Sequence, residues 1–449
     1  MKNNWRQKLH LEPPQGWLND PNGLSFFNGE YHVYFQYVPD SADGKGGKCW
    51  GHWVGSDLMH WRFTGAVLYP DTPDDRSGVY SGCGFVKDGL LNLFYTGNVK
   101  EEGNHDYITS GRGANVIRVT TPDGVTMSEK QTLLRNADYP DYCSCHVRDP
   151  KVWEEDGRYK MVLGARTLDD RGCVLFYDSA DLEYWNFERA ESIPDFGYMW
   201  ECPDIIELDG HRFLGMSPQG VPHEDYCFQN VYSAGYLRYT DDGLTGYEEW
   251  DSGFDFYAPQ TFTAPDGRVL LIGWMGIGDI PYTNPTTELG WQHCLTIPRE
   301  LTLREDGGIR QRPIRELNDR KGKPVSLKDG EPLKSELPFY FASLADNDGF
   351  TLTFEDMLTM SWSGGVFELR FTNDKVGCGR DVRRVKLDRF TGIEMIADTS
   401  SLEIYLNGGE RVMSTRFYPV DTAVTLRAEG IGGSIYPLNG MEVLSDDTV

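Results

Sequence analysis

The sequence predicts an all-β protein in which a five-bladed β-propeller precedes a β-sandwich. The first observation is composition: the 449 residues include 24 Tyr, 22 Phe, 12 Trp and 50 Gly, and aromatic strands joined by Gly-rich turns are typical of all-β folds. The second is a hairpin turn that recurs about every 60 residues. The third is a shorter motif, Asp-Leu-x-x-Trp, in phase with those turns. A regularly repeated hairpin unit is what a ring of propeller blades requires.

Five two-residue Asx-Gly turns divide the first 275 residues into similar units. Each is followed by an apolar strand, the pattern of a type I′ hairpin. Successive turns are 60, 68, 53 and 57 residues apart. The turns are Asn28-Gly29, Asp88-Gly89, Asp156-Gly157, Asp209-Gly210 and Asp266-Gly267.

The Asp-Leu-x-x-Trp motif supports the same period. DLMHW (57–61) and DLEYW (181–185) lie 124 residues apart, about two units, and GLTGYEEW (243–250) is a looser third copy. We therefore expect the propeller in residues 1–309, a basic Pro-containing linker in 310–324, and alternating strands of a β-sandwich in 325–449.

Polar residues stand at nearly the same place in each unit, six to eight residues before the turn. If they begin the innermost strand of each blade, all of them face one end of the central channel. Three are carboxylates, and the sequence therefore predicts an acidic cluster on the axis. In chain order the five residues are Asp20, Ser81, Asp149, Glu201 and Gln260.

Crowded carboxyl groups in a partly dry site have pKa values pushed apart, so one stays protonated while another ionises. A paired acid and nucleophile of this kind cleaves glycosidic bonds. Two alternatives stay open: Asp before Pro is common in plain turns, and three carboxylates could hold Ca²⁺ or another hard cation, although no His falls in register.

The residues near these motifs suit a sugar ring, because flat aromatic faces with a few polar anchors bind carbohydrates. The same tryptophans could equally be core residues. Arg148, next to Asp149, could hold a hydroxyl, orient a carboxylate or form a structural ion pair. The tryptophans are Trp17, Trp50, Trp53, Trp200 and Trp274.

Charge and composition exclude several classes of protein. The formal net charge of −26 argues against nucleic acid or an anionic membrane as a partner. No apolar run has the length of a signal peptide or a membrane span, and the nine cysteines show no CxxC pair. We expect a cytoplasmic protein with reduced thiols that acts on a small molecule; a homo-oligomer stays open.

Together the motifs resemble glycoside hydrolase family 32, which includes invertases, sucrose-6-phosphate hydrolases, levanases and inulinases. The similar blocks follow the family's order over residues 8 to about 315, and SSLEIYLNGGERVMSTRFYP (400–419) is similar to the family's C-terminal β-sandwich. The blocks are WLNDPNG, WGHWVGSDLMHW (50–61), YSG (80–82), RDPKV (148–152), ECPD (201–204), FYAPQT (256–261), IGWMG (272–276) and HCLTIPREL (293–301).

The resemblance implies a β-fructofuranosidase that retains configuration, without a metal or organic cofactor. It implies that Asp20 is the nucleophile, Glu201 the acid and base, and Asp149 a carboxylate that binds ring hydroxyls. Cys202, beside the acid, is usual in the family. The resemblance further implies a fructose pocket lined by Asn19, Gln36, Ser81, Arg148 and Trp274, with Trp53 a weaker assignment.

The chain departs from many relatives just before the WGH block, where SADGKGGKCWGH replaces a segment with an extra Trp-Gly. Lys45 and Lys48 in this Gly-rich loop could contact a larger or anionic leaving group such as a glucose 6-phosphate, or they could simply be solvated.

We therefore expect hydrolysis of terminal β-fructofuranosides, with sucrose or sucrose 6-phosphate as substrate. A fructosyltransferase or a short-chain fructan exo-hydrolase would share the same carboxylates. A fructan-binding protein without catalysis would be expected to lack one of them, and none is missing.

Overall fold

The computed structural model describes residues 5–241, 243–345 and 348–445, and these fold almost entirely into strands. Five four-stranded units form one domain, and two six-stranded sheets form the other. The described helices are short: 3-10 turns at Asn136–Asp138, Pro285–Leu289 and Arg315–Arg320, and α1 at Asp374–Gly377. None of the described helices is long and apolar enough to cross a membrane.

The first five sheets are antiparallel meanders, one for each predicted unit. The first contains β1 (Gly16–Phe27), β2 (Glu30–Val38), β3 (Cys49–Asp57) and β4 (His60–Leu68). The second contains β5 (Val79–Lys87), β6 (Leu90–Lys100), β7 (Arg112–Thr121) and β8 (Gln131–Leu134). The third contains β9 (Cys143–Glu155), β10 (Arg158–Thr167), β11 (Gly172–Ser179) and β12 (Asn186–Glu191). The fourth contains β13 (Met199–Leu208), β14 (His211–Gln219), β15 (Gly235–Thr240) and β16 (Gly243–Glu249). The fifth contains β17 (Tyr257–Thr263), β18 (Val269–Trp274), β20 (Arg299–Leu303) and β21 (Ile309–Pro313), with β19 (Trp291–Gln292) inserted between β18 and β20.

The second domain is a β-sandwich. Its sheets have the strand orders β22-β33-β24-β29-β30-β31 and β23-β32-β25-β26-β27-β28, and aromatic and aliphatic side chains fill the space between them. The strands are β22 (Val325–Leu327), β23 (Leu333–Glu336), β24 (Phe339–Ser343), β25 (Gly349–Phe354), β26 (Leu358–Ser363), β27 (Val366–Phe371), β28 (Val382–Lys386), β29 (Ile393–Ala397), β30 (Ser401–Leu406), β31 (Arg411–Arg416), β32 (Ala423–Glu429) and β33 (Gly433–Pro437), followed by β34 (Glu442–Ser445).

The five first strands form a closed ring, because each contacts the next and β17 contacts β1. This is a five-bladed propeller, and the predicted all-β fold is confirmed. Close approach between blades needs Gly164 on β10: a Cβ there would lie 2.1 Å from the Trp200 carbonyl oxygen on β13. The first blade is extended at both edges, since β19 pairs in parallel with β1 and β34 pairs in parallel with β4.

Four of the five predicted turns have the left-handed backbone of type I′ hairpins at both residues. The fifth turn differs because Pro265 precedes it, and the ring of a proline fixes its own φ at a negative value. There the loop from Ala264 to Arg268 closes through two backbone hydrogen bonds, and Gly267 alone is left-handed (φ 84°).

The Asp-Leu-x-x-Trp motif forms the same turn in two blades. Asp57 Oδ1 accepts hydrogen bonds from two backbone amides of its turn, and Asp181 Oδ1 does the same. The following tryptophans, Trp61 and Trp185, each donate to a leucine carbonyl three residues earlier. Asp123 accepts in the same way from Val125 and Thr126 in the second blade, a copy without the Leu and Trp that made the others visible.

The segment expected as a linker, 310–324, begins inside the propeller. Its first residues form β21, the outer strand of the fifth blade, and a 3-10 turn at Arg315–Arg320 follows. β21 pairs along its whole length with β20, from Arg299 opposite Pro313 to Leu303 opposite Ile309. Proline is tolerated there because the strand lies at the edge of the sheet.

A buried ionic network joins the N-terminal segment, the propeller and the sandwich. His10 Nδ1 lies 2.8 Å from Asp398 Oδ2, and His10 Nε2 lies 3.1 Å from Glu403 Oε1. Arg299 Nη2 lies 2.8 Å from Glu403 Oε2 and 3.0 Å from Asp251 Oδ2. All five side chains have zero exposure. Both His10 nitrogens face carboxylates, so both act as donors and the ring is an imidazolium.

This network makes stability depend on pH in a defined direction. Burial alone would lower the pKa of His10, but the hydrogen bonds and charges of Asp398 and Glu403 outweigh it and raise that pKa to about 9. The protonated form is therefore favoured by folding. Its contribution is complete below the unfolded pKa of about 6.5 and is lost as the pH rises through about 9.

We predict that His10→Gln lowers the melting temperature by several degrees at pH 6, because it leaves two buried carboxylates without their cation. The difference from the unmodified protein should shrink between pH 7 and 10. Calorimetric melts of both proteins across that range test this, with exposed His211→Gln as the control. A difference that stays constant with pH would contradict the assignment.

Candidate active site

The predicted carboxylates line a cavity of about 500 Å³ at one end of the ring. The inner strands of all five blades contribute to it. The lining residues are Trp17, Asn19, Asp20, Gln36, Lys48, Tyr80, Ser81, Lys100, Arg112, His146, Arg148, Asp149, Glu201, Cys202, Gln219, Tyr232, Tyr257, Trp274, Gly278 and Asp279.

Every inner strand breaks its regular pairing where it reaches this cavity, and such bulges turn side chains out of the ladder. The register shifts lie at Leu18/Pro21, Val79/Gly82, Arg148/Lys151, Glu201/Asp204 and Tyr257/Gln260. In the last three blades the first unpaired residue of the break has a left-handed backbone. These residues are Asp149, Cys202 and Ala258, with φ of 63°, 47° and 46°.

The bulges refine the predicted phase. The sequence spacing suggests that Asp149 and Glu201 occupy the same place in their blades. In the structure Glu201 corresponds instead to Arg148, the last paired residue before the break, while Asp149 corresponds to Cys202. The offset of one residue places a guanidinium and a carboxylate side by side from neighbouring blades.

Asp20 is held by neutral donors and is partly open to the cavity. Its Oδ2 accepts hydrogen bonds from Ser81 Oγ at 2.5 Å and Gln36 Nε2 at 3.3 Å, and its Oδ1 accepts from Asn19 Nδ2 at 3.1 Å. Burial raises the pKa of Asp20, while the Ser81 hydrogen bond and the charge of Lys48 oppose the rise. The carboxylate is thus fixed in orientation without a direct ion pair.

Asp149 is the most enclosed of the three carboxyl groups, with 4 % of its side chain exposed. Its Oδ2 accepts a hydrogen bond from the backbone N–H of Cys202 at 2.9 Å and lies 4.0 Å from Arg148 Nε. Burial raises its pKa to about 7; Arg148 opposes the rise and the charge of Glu201 adds to it. Arg148 and the Cys202 amide therefore offset only part of the cost of burying this carboxylate.

Glu201 receives hydrogen bonds on both oxygens. Arg148 donates to Oε1 from Nη2 at 2.7 Å and from Nε at 3.1 Å. Gln219 Nε2 donates to Oε2 at 2.7 Å, and the Tyr257 hydroxyl donates at 2.6 Å. The carboxyl group is held rigidly at the cavity wall.

The thiol of Cys202 shows how close the carboxyl groups are, since its Sγ lies 3.9 Å from Asp20 Oδ2 and 3.7 Å from Asp149 Oδ2. Arg148 donates to Glu201 and lies 4.0 Å from Asp149, whereas Asp20 accepts from neutral donors. Burial, together with the neighbouring carboxylates, raises the pKa of Asp20 and of Asp149, so these two groups hold a proton more readily than free carboxylates do. A proton donor beside an ionised nucleophile is what glycoside hydrolysis requires.

Below the carboxylates the channel is closed by polar contacts between blades. Lys151 Nζ lies 2.9 Å from Asp204 Oδ1 and donates to the Thr261 carbonyl oxygen at 2.6 Å. Gln260, the fifth residue of the predicted set, donates to the Gly82 carbonyl oxygen at 2.9 Å and does not line the cavity. The site is therefore a pocket with one mouth and no through channel.

Most predicted pocket residues do line this cavity, namely Asn19, Gln36, Lys48, Ser81, Arg148 and Trp274. Trp53 does not: it lies on β3, is 3 % exposed, and packs on Phe63 with ring centroids 4.7 Å apart. Lys45 does not either, because its side chain is 86 % exposed and pairs with Asp43. Lys48 is turned inward and donates to Asn19 Oδ1 at 2.7 Å; burial lowers its pKa to about 8.

Several lining residues escaped the sequence analysis. Tyr257 stands in a block quoted for the resemblance, but only its contact with Glu201 reveals it. Gln219 lies at the end of β14, opposite Met199, where no motif marks it. Lys100 and Arg112 stand at the two ends of the β6–β7 loop. Two cations that flank one loop in an acidic chain were the sequence feature that could have identified them as pocket residues.

Among residues 5–241, 243–345 and 348–445, no group of three or more His, Cys, Asp or Glu side chains is arranged to hold a metal ion. All nine cysteines lie in this part of the chain, and none forms a disulfide.

Comparison with known proteins identifies the family. The model of the glycosyl hydrolases family 32 N-terminal domain matches residues 10–313, and that of the family 32 C terminal matches residues 369–443. The sucrose-6-phosphate hydrolase of Bacillus subtilis (strain 168) is 35% identical over 96% of this chain and 92% of its own length.

Solved structures show the same architecture. Sucrose-6-phosphate hydrolase from Lactobacillus gasseri superposes with a TM-score of 0.88 at 26% identity, covering 98% of this chain and 94% of that one. A mutant family 32 β-fructofuranosidase from Bombyx mori, in complex with sucrose, superposes with a TM-score of 0.85 at 28% identity, covering 99% and 96%.

The propeller, the attached sandwich and the axial carboxylates define a glycosidase. The chain belongs to glycoside hydrolase family 32.

We predict that Ser81→Ala raises the pKa of Asp20 by about 1 to 2 units, because a hydrogen bond to an ionised group is removed. Titration of ¹³C-labelled aspartate carboxyls by NMR, with the Asp20 signal assigned through Asp20→Asn, measures the change. The matched control is Ser25→Ala, because Ser25 is also a buried serine and lies on β1, the strand that carries Asp20. An Asp20 that titrates at the same pH in both variants would contradict the role given to Ser81.

Proposed function

We propose that the protein is a retaining β-fructofuranosidase in which Asp20 is the nucleophile, Glu201 the acid and base, and Asp149 a supporting carboxylate. The observation that carries this assignment is the convergence of three carboxyl groups, each with different hydrogen-bond partners, at the closed end of one pocket. Different surroundings give the carboxyl groups different proton affinities, so that one can donate while another attacks.

In the first step a carboxylate oxygen of Asp20 attacks the anomeric carbon of a terminal fructofuranosyl unit. The bond from that carbon to the glycosidic oxygen breaks, and its electron pair stays on the oxygen. The proton of Glu201 passes to this oxygen, so the leaving sugar departs as a neutral alcohol and a fructosyl ester of Asp20 remains. Hydrogen bonds from Ser81, Asn19 and Gln36 hold Asp20 for this attack.

In the second step Glu201, now ionised, takes a proton from a water molecule. The water oxygen attacks the same carbon, the ester bond breaks, and its electron pair returns to Asp20. Two inversions at one carbon give net retention. Arg148 and Tyr257 keep Glu201 at the same place in both steps, as its change of role requires.

Asp149 lies beside Arg148 and accepts the Cys202 backbone amide, which leaves its other oxygen for ring hydroxyls of the fructosyl unit. Its negative charge also stabilises the oxocarbenium-like transition state, since positive charge develops on the ring at that point. Trp274 and Trp17, with ring centroids 5.9 Å apart, offer an aromatic wall to the sugar.

The substrate is sucrose or sucrose 6-phosphate. A relative 35% identical over nearly the whole chain is a sucrose-6-phosphate hydrolase, and a solved neighbour is a β-fructofuranosidase in complex with sucrose. A cavity of about 500 Å³ accommodates a disaccharide.

Replacing each carboxyl by its amide tests the assignment. We predict that Asp20→Asn and Glu201→Gln each lower kcat on sucrose by about 10³-fold or more, while Asp149→Asn lowers kcat/KM to a similar degree. Glu207→Gln, which alters an exposed carboxylate on the same strand as Glu201, is the matched control and should keep full activity. Full activity in either the Asp20 or the Glu201 variant would overturn the proposal.

A substrate whose leaving group needs no proton distinguishes the acid role of Glu201 from its base role. With β-fructosyl fluoride, Glu201→Gln should still form the fructosyl ester but hydrolyse it slowly, because the base for water is missing. Mass spectrometry of peptides after acid quenching should find the fructosyl group on the peptide containing Asp20. Labelling of the peptide containing Asp149 instead would reverse the assignment of the nucleophile.

A further inference from the structure

Two neighbouring cations, Lys100 and Arg112, line the pocket without an acidic partner among the described residues. Lys100 ends β6 and Arg112 begins β7, and the two residues lie directly opposite each other in the register of these strands. Like charges directly opposite on neighbouring strands repel and destabilise a sheet. In a chain with a net charge of −26, carboxylates to neutralise such a pair are plentiful.

Neither cation is neutralised in this way. Across the described residues, no carboxylate oxygen lies within 4.0 Å of the Lys100 ammonium or the Arg112 guanidinium. Arg112 donates from Nη1 to Asn98 Oδ1 at 2.9 Å and from Nε to the Tyr107 carbonyl oxygen at 3.2 Å, both neutral acceptors. Lys100 Nζ lies 5.6 Å from the centroid of the Tyr107 ring.

Two acidic groups of the loop between these residues are engaged elsewhere. Glu101 pairs with Arg76 at 2.7 Å, and Asp106 accepts hydrogen bonds within its own turn. The loop is also tied to the third blade, because the Cys145 backbone amide donates to the Ile108 carbonyl oxygen at 2.7 Å. The two cations are therefore held at the pocket by a supported loop.

His146 is a neutral neighbour of these cations. It lies between this loop and the catalytic centre, and its Nδ1 accepts a hydrogen bond from Arg148 Nη1 at 2.7 Å. Burial, together with the charges of Arg148 and Arg112, lowers the pKa of His146 to about 3. His146 therefore adds no charge of its own beside Lys100 and Arg112.

We propose that Lys100 and Arg112 bind the phosphate of a substrate phosphorylated on its leaving sugar, and so select sucrose 6-phosphate over sucrose. Asp20, Asn19 and Gln36 form the closed end of the pocket and take the fructosyl unit, whereas Lys100 is exposed at the mouth, where the leaving sugar lies. A phosphate monoester is a dianion at neutral pH, and two adjacent cations match its charge. This inference rests on the proposed function of the pocket.

The structure also separates these residues from the lysines suggested by the sequence. Lys45 is solvated and paired with Asp43. Lys48 donates to Asn19, which in turn donates to Asp20, so its replacement would disturb both substrates alike. Lys100 and Arg112 have no contact with the carboxylates and can act on the phosphate alone.

The test is the ratio of kcat/KM for sucrose 6-phosphate to kcat/KM for sucrose. In the unmodified protein we expect this ratio to exceed about 10, since charge-assisted hydrogen bonds favour the phosphorylated sugar. Arg112→Ala should lower the ratio about tenfold and Lys100→Ala about threefold or more. Arg112→Lys, which keeps the charge, should recover part of the loss.

Lys87→Ala is the matched control, because Lys87 is a cation of the same blade that also stacks on a tyrosine, 5.3 Å from the Tyr159 ring, and lies outside the pocket. Its ratio should equal that of the unmodified protein. A ratio near 1 in the unmodified protein, or equal ratios in Arg112→Ala and Lys87→Ala, would overturn the inference while leaving the β-fructofuranosidase assignment intact.

Binding of products tests the same subsite without turnover. Calorimetry should show that glucose 6-phosphate binds more tightly than glucose, and that Arg112→Ala removes most of this difference. Tighter binding of fructose 6-phosphate than of glucose 6-phosphate would place the anion on the fructosyl side and contradict the inference. Equal binding of inorganic phosphate and glucose 6-phosphate would do so too, because the sugar would then contribute nothing.

Discussion

The main constraint on this structure is the repulsion among three carboxyl groups that lie close together on the propeller axis. Separate blades supply Asp20, Asp149 and Glu201, and a ring of five inner strands forces them to converge. Arg148 donates to Glu201 and lies 4.0 Å from Asp149, while neutral donors hold Asp20. In the mechanism that we propose, unequal proton affinities let one of these groups act as the acid and another as the nucleophile.

The propeller meets this constraint through backbone geometry. Each inner strand breaks its ladder where it reaches the pocket, and left-handed residues such as Asp149 and Cys202 turn their neighbours toward the axis. The strain is tolerated because each inner strand is packed between the inner strands of two other blades. The Lys151–Asp204 pair closes the channel beneath, so the carboxylates share a partly dry pocket.

The sequence predicts the repeat of the hairpin turns and the clustering of the three carboxylates, because both follow from the spacing of residues along the chain. The one-residue offset between Asp149 and Glu201 was not predictable, since it depends on where each bulge falls. The family resemblance implied Trp53 only as a weaker pocket residue, and Lys45 was left as either a leaving-group contact or a solvated lysine. Strand alternation turns Trp53 into the core, and Lys45 pairs with Asp43 in solvent. The Lys100–Arg112 pair depends on hairpin register, which no local motif encodes.

The central claim is that Asp20 forms a covalent bond to the substrate, and the stereochemistry of the first product tests it most directly. Transfer of the fructosyl unit from sucrose to methanol gives a methyl fructofuranoside, which does not mutarotate, so NMR of this product reports the configuration at the anomeric carbon. The account predicts methyl β-fructofuranoside as the transfer product, with configuration retained. The α anomer as the first product would show a single displacement by the acceptor and would contradict it.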